Sequence, residues 1–221
     1  MSNTRENVLS ALRRNVREQY DMPDLDKLQP ITYADPVAEF ITKTTTTAGA
    51  KLLEMQPGED IINKVREAYP DATSVASNLP GLIAANAPAL SMHFVNPDTA
   101  TVEELERIDV GVIEGKIGVA ENACIWVPQQ MKEKAVCFAS QRLVIVLRRS
   151  DIVHNMHEAY DRIAASTDYF QQYKFGTFIS GPSKTADIES ALVYGAQAAR
   201  AVTVVLLTAD KAFPSFLLLQ Q

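Results

Sequence analysis

The chain has 221 residues, 47% of them hydrophobic and 22% charged, which is enough apolar material for a full globular core and too much for a disordered chain. Its formal net charge of −6, with basic clusters no larger than Arg13-Arg14 and Arg148-Arg149, argues against a nucleic acid as principal ligand, because phosphate binding needs a basic face to displace counterions. No apolar run approaches the roughly 18–20 residues of a membrane helix, so membrane insertion is not expected.

The first predicted element is an N-terminal helix in which Val8, Leu12 and Val16 recur every four residues as a narrow apolar stripe. The segment Met1 to Tyr20 lacks the apolar region of a signal peptide, and Glu6 and Glu18 argue against a transit peptide, so a cytoplasmic location is expected. Pro23, Pro30 and Pro36 punctuate a linker. We therefore divide the chain into an N-terminal helix and linker, 1–34, and one α/β domain, 35–221.

From Val37 onward the pattern alternates. Helix is expected over Val37–Thr47, strand over Ala50–Met55, helix over Glu59–Tyr69 and strand over Ala72–Ser77. A short helix at Thr101–Arg107 precedes strands at Val110–Ile117, Ala123–Val127 and Arg142–Leu147. Then come helix Asp151–Ala164, strand Thr177–Ser180, helix Ala186–Arg200 and strand Val202–Leu207. Strands alternating with helices imply a largely parallel sheet covered on both faces, and the strands are apolar throughout, as doubly covered strands should be. The expected fold is a three-layer α/β/α domain.

Cys124 and Cys137 form no CxxC pair and cannot complete a four-thiolate cluster. Both sit in apolar runs and read as small buried hydrophobes. His154, His157 and Asp161 share one helical face at spacings of three and four, a pattern more common on a solvated surface than at a metal. No metal and no cofactor is assigned.

The strongest chemical signal is Gly181-Pro182-Ser183-Lys184-Thr185-Ala186-Asp187. Pro182 ends the preceding strand, and Gly181 permits close backbone approach to a ligand. Ser183 and Thr185 suit the N-cap of the helix expected to follow. A strand, tight turn and helix N-terminus make an anion site, with Lys184 supplying a full charge and Ser183 and Thr185 their hydroxyls. Asp187 stands in the first turn of that helix and could instead satisfy its dipole. The expected ligand is a phosphate- or carboxylate-bearing small molecule, at the carboxyl end of a strand. Neither a P-loop nor GxGxxG is present.

The run Ile179 to Glu189 resembles the signature G-P-S-[RK]-T-A-D-I-E of the LUD-domain family, the lactate-utilisation protein C family. Gly118 to Val127, containing Ala120-Glu121-Asn122-Ala123, is similar to the family's A-E-[TN]-G-[TA] strand. The family's G-V-H-G-P reads here Gly195-Ala196-Gln197-Ala198-Ala199, without the histidine. The resemblance implies a fold like that of ribose-phosphate isomerases and CoA transferases. It also implies a part in oxidising L-lactate to pyruvate together with iron–sulfur partner proteins. Ala120 to Ala123 is similar, too, to the S-E-N-G motif of class I CoA transferases, whose glutamate is the nucleophile. That gives Glu121 a possible catalytic role in a transferase or isomerase acting on a CoA thioester or sugar phosphate. The structural alternative is a glutamate bonded to nearby backbone.

Overall fold

The computed structural model describes residues 4–16, 20–21, 23–24, 27–77, 79, 92–128, 131–165, 175–187 and 190–208. The chain forms two compact units, Met1–Pro30 and Ile31–Gln221. The first holds helix α1, Thr4–Asn15, on which Val8 and Leu12 share a stripe.

In the second unit the described helices are α2 (Pro36–Thr46), α3 (Ile61–Ala68), α4 (Val102–Glu106), α5 (Met131–Ala139) and α6 (Met156–Ala165). The strands are β1 (Lys51–Met55), β2 (Ser74–Ser77), β3 (His93–Val95), β4 (Val110–Glu114), β5 (Ile117–Val119) and β6 (Cys124–Pro128). They continue with β7 (Arg142–Arg148), β8 (Ile152–Val153), β9 (Gly176–Ile179), β10 (Lys184–Thr185), β11 (Val193–Tyr194) and β12 (Ala201–Leu207). The helix starts follow local chemistry. Asp35 accepts from the N–H groups of Val37 and Ala38 with Pro36 in the first turn of α2, and Thr101 and Glu104 close a capping box on α4.

Six strands form an all-parallel sheet in the order β1-β12-β7-β4-β2-β3. Its central strands, β2, β4, β7 and β12, are buried on both faces, as their composition predicts. Val144, Val146, Val205 and Leu207 pack toward Ile62 and Val65 of α3. Leu143, Ile145, Leu147, Val204 and Leu206 pack on the other side with Phe40 of α2 and Ile125 of β6. On that second side lies a smaller sheet, β8-β5-β6-β9, whose outer face carries Ile117, Val119 and Cys124 against Ala159 and Ile163 of α6. The arrangement is the expected three-layer α/β/α domain, with the small sheet built into one outer layer.

Four local expectations are corrected. The single strand expected over Val110–Ile117 is two strands in two sheets. It divides at Gly115, where a Cβ would stand 2.3 Å from Ile125 Cγ2, so only glycine lets the chain cross between the sheets. The helix expected from Asp151 starts at Met156, because Ile152–Val153 first adds a strand to the small sheet. Its start is held by Asn155 Oδ1, which accepts from Glu158 N at 2.9 Å. Strand β3 and helix α5 were not foreseen at all.

The fourth correction bears on function. No helix follows the Gly181 turn among the described residues: Lys184–Thr185 pair antiparallel with Val193–Tyr194 as a short hairpin. The small residues at 195, 196 and 199 fit a helical period. However, Ser190 (φ 57°) and Gly195 (φ 81°) are left-handed, which a helix cannot accommodate, and Leu192 is 57% exposed rather than packed on the sheet. The helix dipole therefore drops out of any account of this site.

Candidate functional site

β9 carries the signature segment to the amino edge of the large sheet rather than its carboxyl edge. Ser183 N donates to Ala199 O at 2.9 Å, just before β12, and Gly195 N donates to Ser183 O at 3.0 Å. Gly181 lies against Ala48, in the loop entering β1. The turn thus follows the carboxyl end of its own strand, but not the carboxyl ends of the parallel sheet where ligands commonly sit.

The expected ligand-binding residues separate here. Gly181, Pro182 and Ser183 line a cavity of about 350 Å³ shared with Phe138, Leu143 and Val202. Lys184 is outside that lining; its Nζ donates to Ala48 O at 2.6 Å. Thr185 and Asp187 are also outside it, with Asp187 N donating to Thr185 Oγ1 at 3.5 Å. Ile188 and Glu189 lie outside the described residues.

Glu121 occupies the β5–β6 turn. Ala123 there has φ 55°, which explains why the related motifs place glycine at this position, and Asn122 Oδ1 accepts from Cys124 N at 3.1 Å. Glu121 Oε2 accepts from Met156 N at 2.9 Å, so the carboxylate sits on the N-terminus of α6. This is the backbone-bonded role set beside the catalytic one. The two motif segments do meet: Ser180 Oγ donates to Asn122 O at 2.9 Å.

Sequence reasoning missed two neighbours of this turn, Lys43 and Tyr33, and set a third, His154, on a helical face. Lys43 Nζ donates to Glu121 O at 3.0 Å and to Tyr33 OH at 2.9 Å, and pairs with Glu39 at 3.0 Å. The hydrogen bonds to Tyr33 and then Glu39 hold its pKa above the ordinary lysine value. His154 Nδ1 accepts from Tyr33 N at 3.0 Å, which places the imidazole proton on Nε2, and the two rings stack at 6.5 Å. His154 therefore faces Tyr33 and not the helical face shared by His157 and Asp161, which pair at 3.7 Å on the surface. These contacts join residues up to 121 positions apart, so no short motif could announce them.

Cys124 and Cys137 are both buried, in separate core clusters. Burial, partly offset by Asn122, pushes the Cys124 thiol up to about 12. We expect Cys124 to stay unalkylated by iodoacetamide at pH 8 in the native protein and to react on unfolding, because the thiolate is the nucleophile. Peptide mass mapping before and after urea checks this; rapid native labelling at Cys124 would contradict it.

The architecture defines an open α/β protein with a motif-bearing hairpin at the amino edge of its parallel sheet. Residues 38–207 match the family model of the LUD domain, and the chain belongs to the LUD-domain family. It is 28% identical to Lactate utilization protein C of Shouchella clausii (strain KSM-K16) over 109 residues, a match spanning 49% of this chain and 48% of that protein, or about half the length of each. It is similar in fold to the crystal structure of a DUF162 family protein from Deinococcus radiodurans, at 15% identity and a TM-score of 0.57, covering 81% of this chain and 100% of the other. Among the described residues, no helix is long and apolar enough to cross a membrane.

Proposed function

We propose that this chain is the LUD-domain subunit of a cytoplasmic system that oxidises L-lactate to pyruvate. In this reading the redox centres reside on iron–sulfur partner proteins, and an anionic ligand is held beside Lys184. Similarity to a lactate-utilisation protein supports the system. The structural observation that carries the site is the Ser180–Asn122 hydrogen bond, which brings the two motif segments together beside the end of α2. Lys184, anchored on Ala48 O, spends one of three ammonium donors there, which leaves two for a phosphate or carboxylate. Cys124 and Cys137, buried in different clusters, give no shared cluster-binding position, which favours redox groups on partners.

The test has two arms. Lactate-dependent dye reduction by purified iron–sulfur partners should require this chain, and equal activity without it would sink the subunit role. In calorimetric titrations with phosphate, pyrophosphate, CoA and lactate, Lys184→Ala should weaken binding roughly ten- to hundredfold. That is the loss of one charge-assisted hydrogen bond of about 1.5–3 kcal/mol. Lys184→Arg should do less harm. Equal binding by wild type and Lys184→Ala would remove Lys184 from the site.

A second reading is favoured by one observation: Glu121 is an exposed carboxylate next to Ser180 and Lys43. If the chain is instead a transferase using CoA thioesters, hydroxylamine should displace CoA from a Glu121 thioester and leave a glutamyl hydroxamate at Glu121 that is absent from Glu121→Gln. No hydroxamate at Glu121 with any of several acyl-CoAs would dismiss this reading.

A further inference from the structure

Residues 31–33 pass along the start of α6 and are held there at three points. Asn155 Nδ2 donates to Ile31 O at 2.8 Å, Tyr33 N donates to His154 Nδ1 at 3.0 Å, and Tyr33 OH accepts from Lys43 Nζ at 2.9 Å. Tyr33 is half-buried, with its ring stacked on the imidazole and packed against the core. Two of the three holding residues also fasten the Glu121 turn. Lys43 Nζ donates to Glu121 O at 3.0 Å, and Glu121 N donates to His154 O at 3.0 Å.

One of these fastenings depends on a titratable lone pair. A backbone N–H can donate to Nδ1 only while that nitrogen carries no proton. Imidazoles ordinarily gain their second proton between about pH 8 and 5. An imidazolium here would set Nδ1–H against Tyr33 N–H, donor against donor. The charged groups around it do not relieve that conflict. From α2, Lys43 brings a cation over the Tyr33 ring at 4.9 Å, and Glu39 is paired with Lys43. Asp35, two residues beyond Tyr33, is taken up by Val37 N and Ala38 N. From the β5–β6 turn, Glu121 Oε2 accepts from Met156 N. From α6, Glu158 Oε2 accepts from the His154 backbone N–H at 3.0 Å, and His157 pairs with Asp161 on the surface. Each of these carboxylates already holds another donor.

We propose that residues 31–33 form a proton-sensitive strap beside the Glu121 turn, closed while His154 is neutral and released at Tyr33 when His154 is protonated. The sign follows from the closed form, which requires the neutral ring: acid opens the strap and base closes it. Ile31 stays tied through Asn155, whose amide does not titrate, so the strap hinges there. Release withdraws the Tyr33 hydroxyl from Lys43 and leaves its ammonium with Glu39 and Glu121 O. One ammonium donor is thereby freed beside the turn where the Ser180–Asn122 bond joins the two motif segments. This regulation is separate from the choice of ligand, and the titration that tests it contains none.

Hydrogen exchange of the full chain, read at single amides by NMR, reports the protection of the Tyr33 N–H relative to its intrinsic rate. Between pH 8 and pH 5 that protection should fall about tenfold, the loss of one hydrogen bond. The midpoint should coincide with that of the His154 ring resonances. Ala50, whose N–H donates to Thr44 O, should keep its protection. In His154→Asn, whose side-chain carbonyl can still accept the Tyr33 N–H but cannot titrate, protection should be the same at both pH values. His157→Asn should behave like wild type. If a thermal melt shows that His154→Asn does not fold, the two wild-type midpoints decide alone. Three results would each overturn the strap: Tyr33 protection unchanged while His154 gains its proton, a His154 that stays neutral down to pH 5, or a fall that persists in folded His154→Asn.

Discussion

Gly181→Ala is expected to destabilise the protein by about 2–5 kcal/mol, read as a fall in Tm of roughly 4–20 °C. Two effects add. At φ +72° a side chain costs about 1–2 kcal/mol, and the new Cβ would stand 2.2 Å from Ala48 O, a backbone atom. Ala48 cannot simply retreat. Its own N–H donates to Lys43 O at 2.9 Å, Ala50 N donates to Thr44 O at 3.0 Å, and Lys184 holds the same carbonyl at 2.6 Å. Forced repacking of this kind costs about 1–3 kcal/mol more. Beside the expectation from sequence, that glycine here lets a ligand approach, stands a structural cause: it lets the hairpin approach the α2–β1 loop. A thermal melt within about 2 °C of wild type would show that the loop yields and that this account of Gly181 is wrong.

Phe40→Ala should cost about 3–5 kcal/mol, the range for emptying a buried aromatic site. Phe40 is fully buried on α2 between the two sheets. Gly118 of the small sheet comes so close that an added Cβ there would meet Phe40 at 3.3 Å and Leu147 at 2.7 Å. With a hydrogen-bonded sheet on either side, the space left by the ring cannot easily collapse, so a cavity cost adds to the roughly 1.5–3 kcal/mol of lost burial. Urea unfolding should show a lower midpoint at unchanged slope. A loss below about 1 kcal/mol would mean that the sheets close over the gap.

What was legible follows from the range of the interactions. Strands such as Arg142–Arg148 and Ala201–Leu207 announce themselves because burial on both faces demands a nearly continuous run rich in Val, Ile and Leu. Helix α2 is announced by Asp35, Pro36 and its apolar spacing, all local. The division at Gly115 is marked in the sequence by Glu114-Gly115-Lys116, a polar break centred on glycine, but the change of sheet that follows it depends on the tertiary fold. The segment after Thr185 misleads, because its small residues fit a helical repeat while pairing with Lys184–Thr185 decides its conformation. At the site, Glu121 and Gly181 were found by motif. Lys43 and Tyr33 were not, and His154 was read only as part of a helical face with His157 and Asp161, since each reaches the Glu121 turn only through the tertiary fold.

The strand order also fixes a sequence of events during synthesis. Among the described residues β1 pairs only with β12, and β12 fills the place between β1 and β7. Between Met55 and Ala201 the ribosome must add 145 residues, which at about 5–20 residues per second takes roughly 7–30 s. Throughout that interval β2, β4 and β7 can assemble side by side, but β1 has no strand to pair with. The nascent chain therefore carries an unpaired strand until nearly the whole domain has emerged, and closure comes as a late, long-range step of the slow kind. A ribosome-bound chain stalled before residue 201 should accordingly remain protease-sensitive around residues 51–55, and release of β12 should protect them.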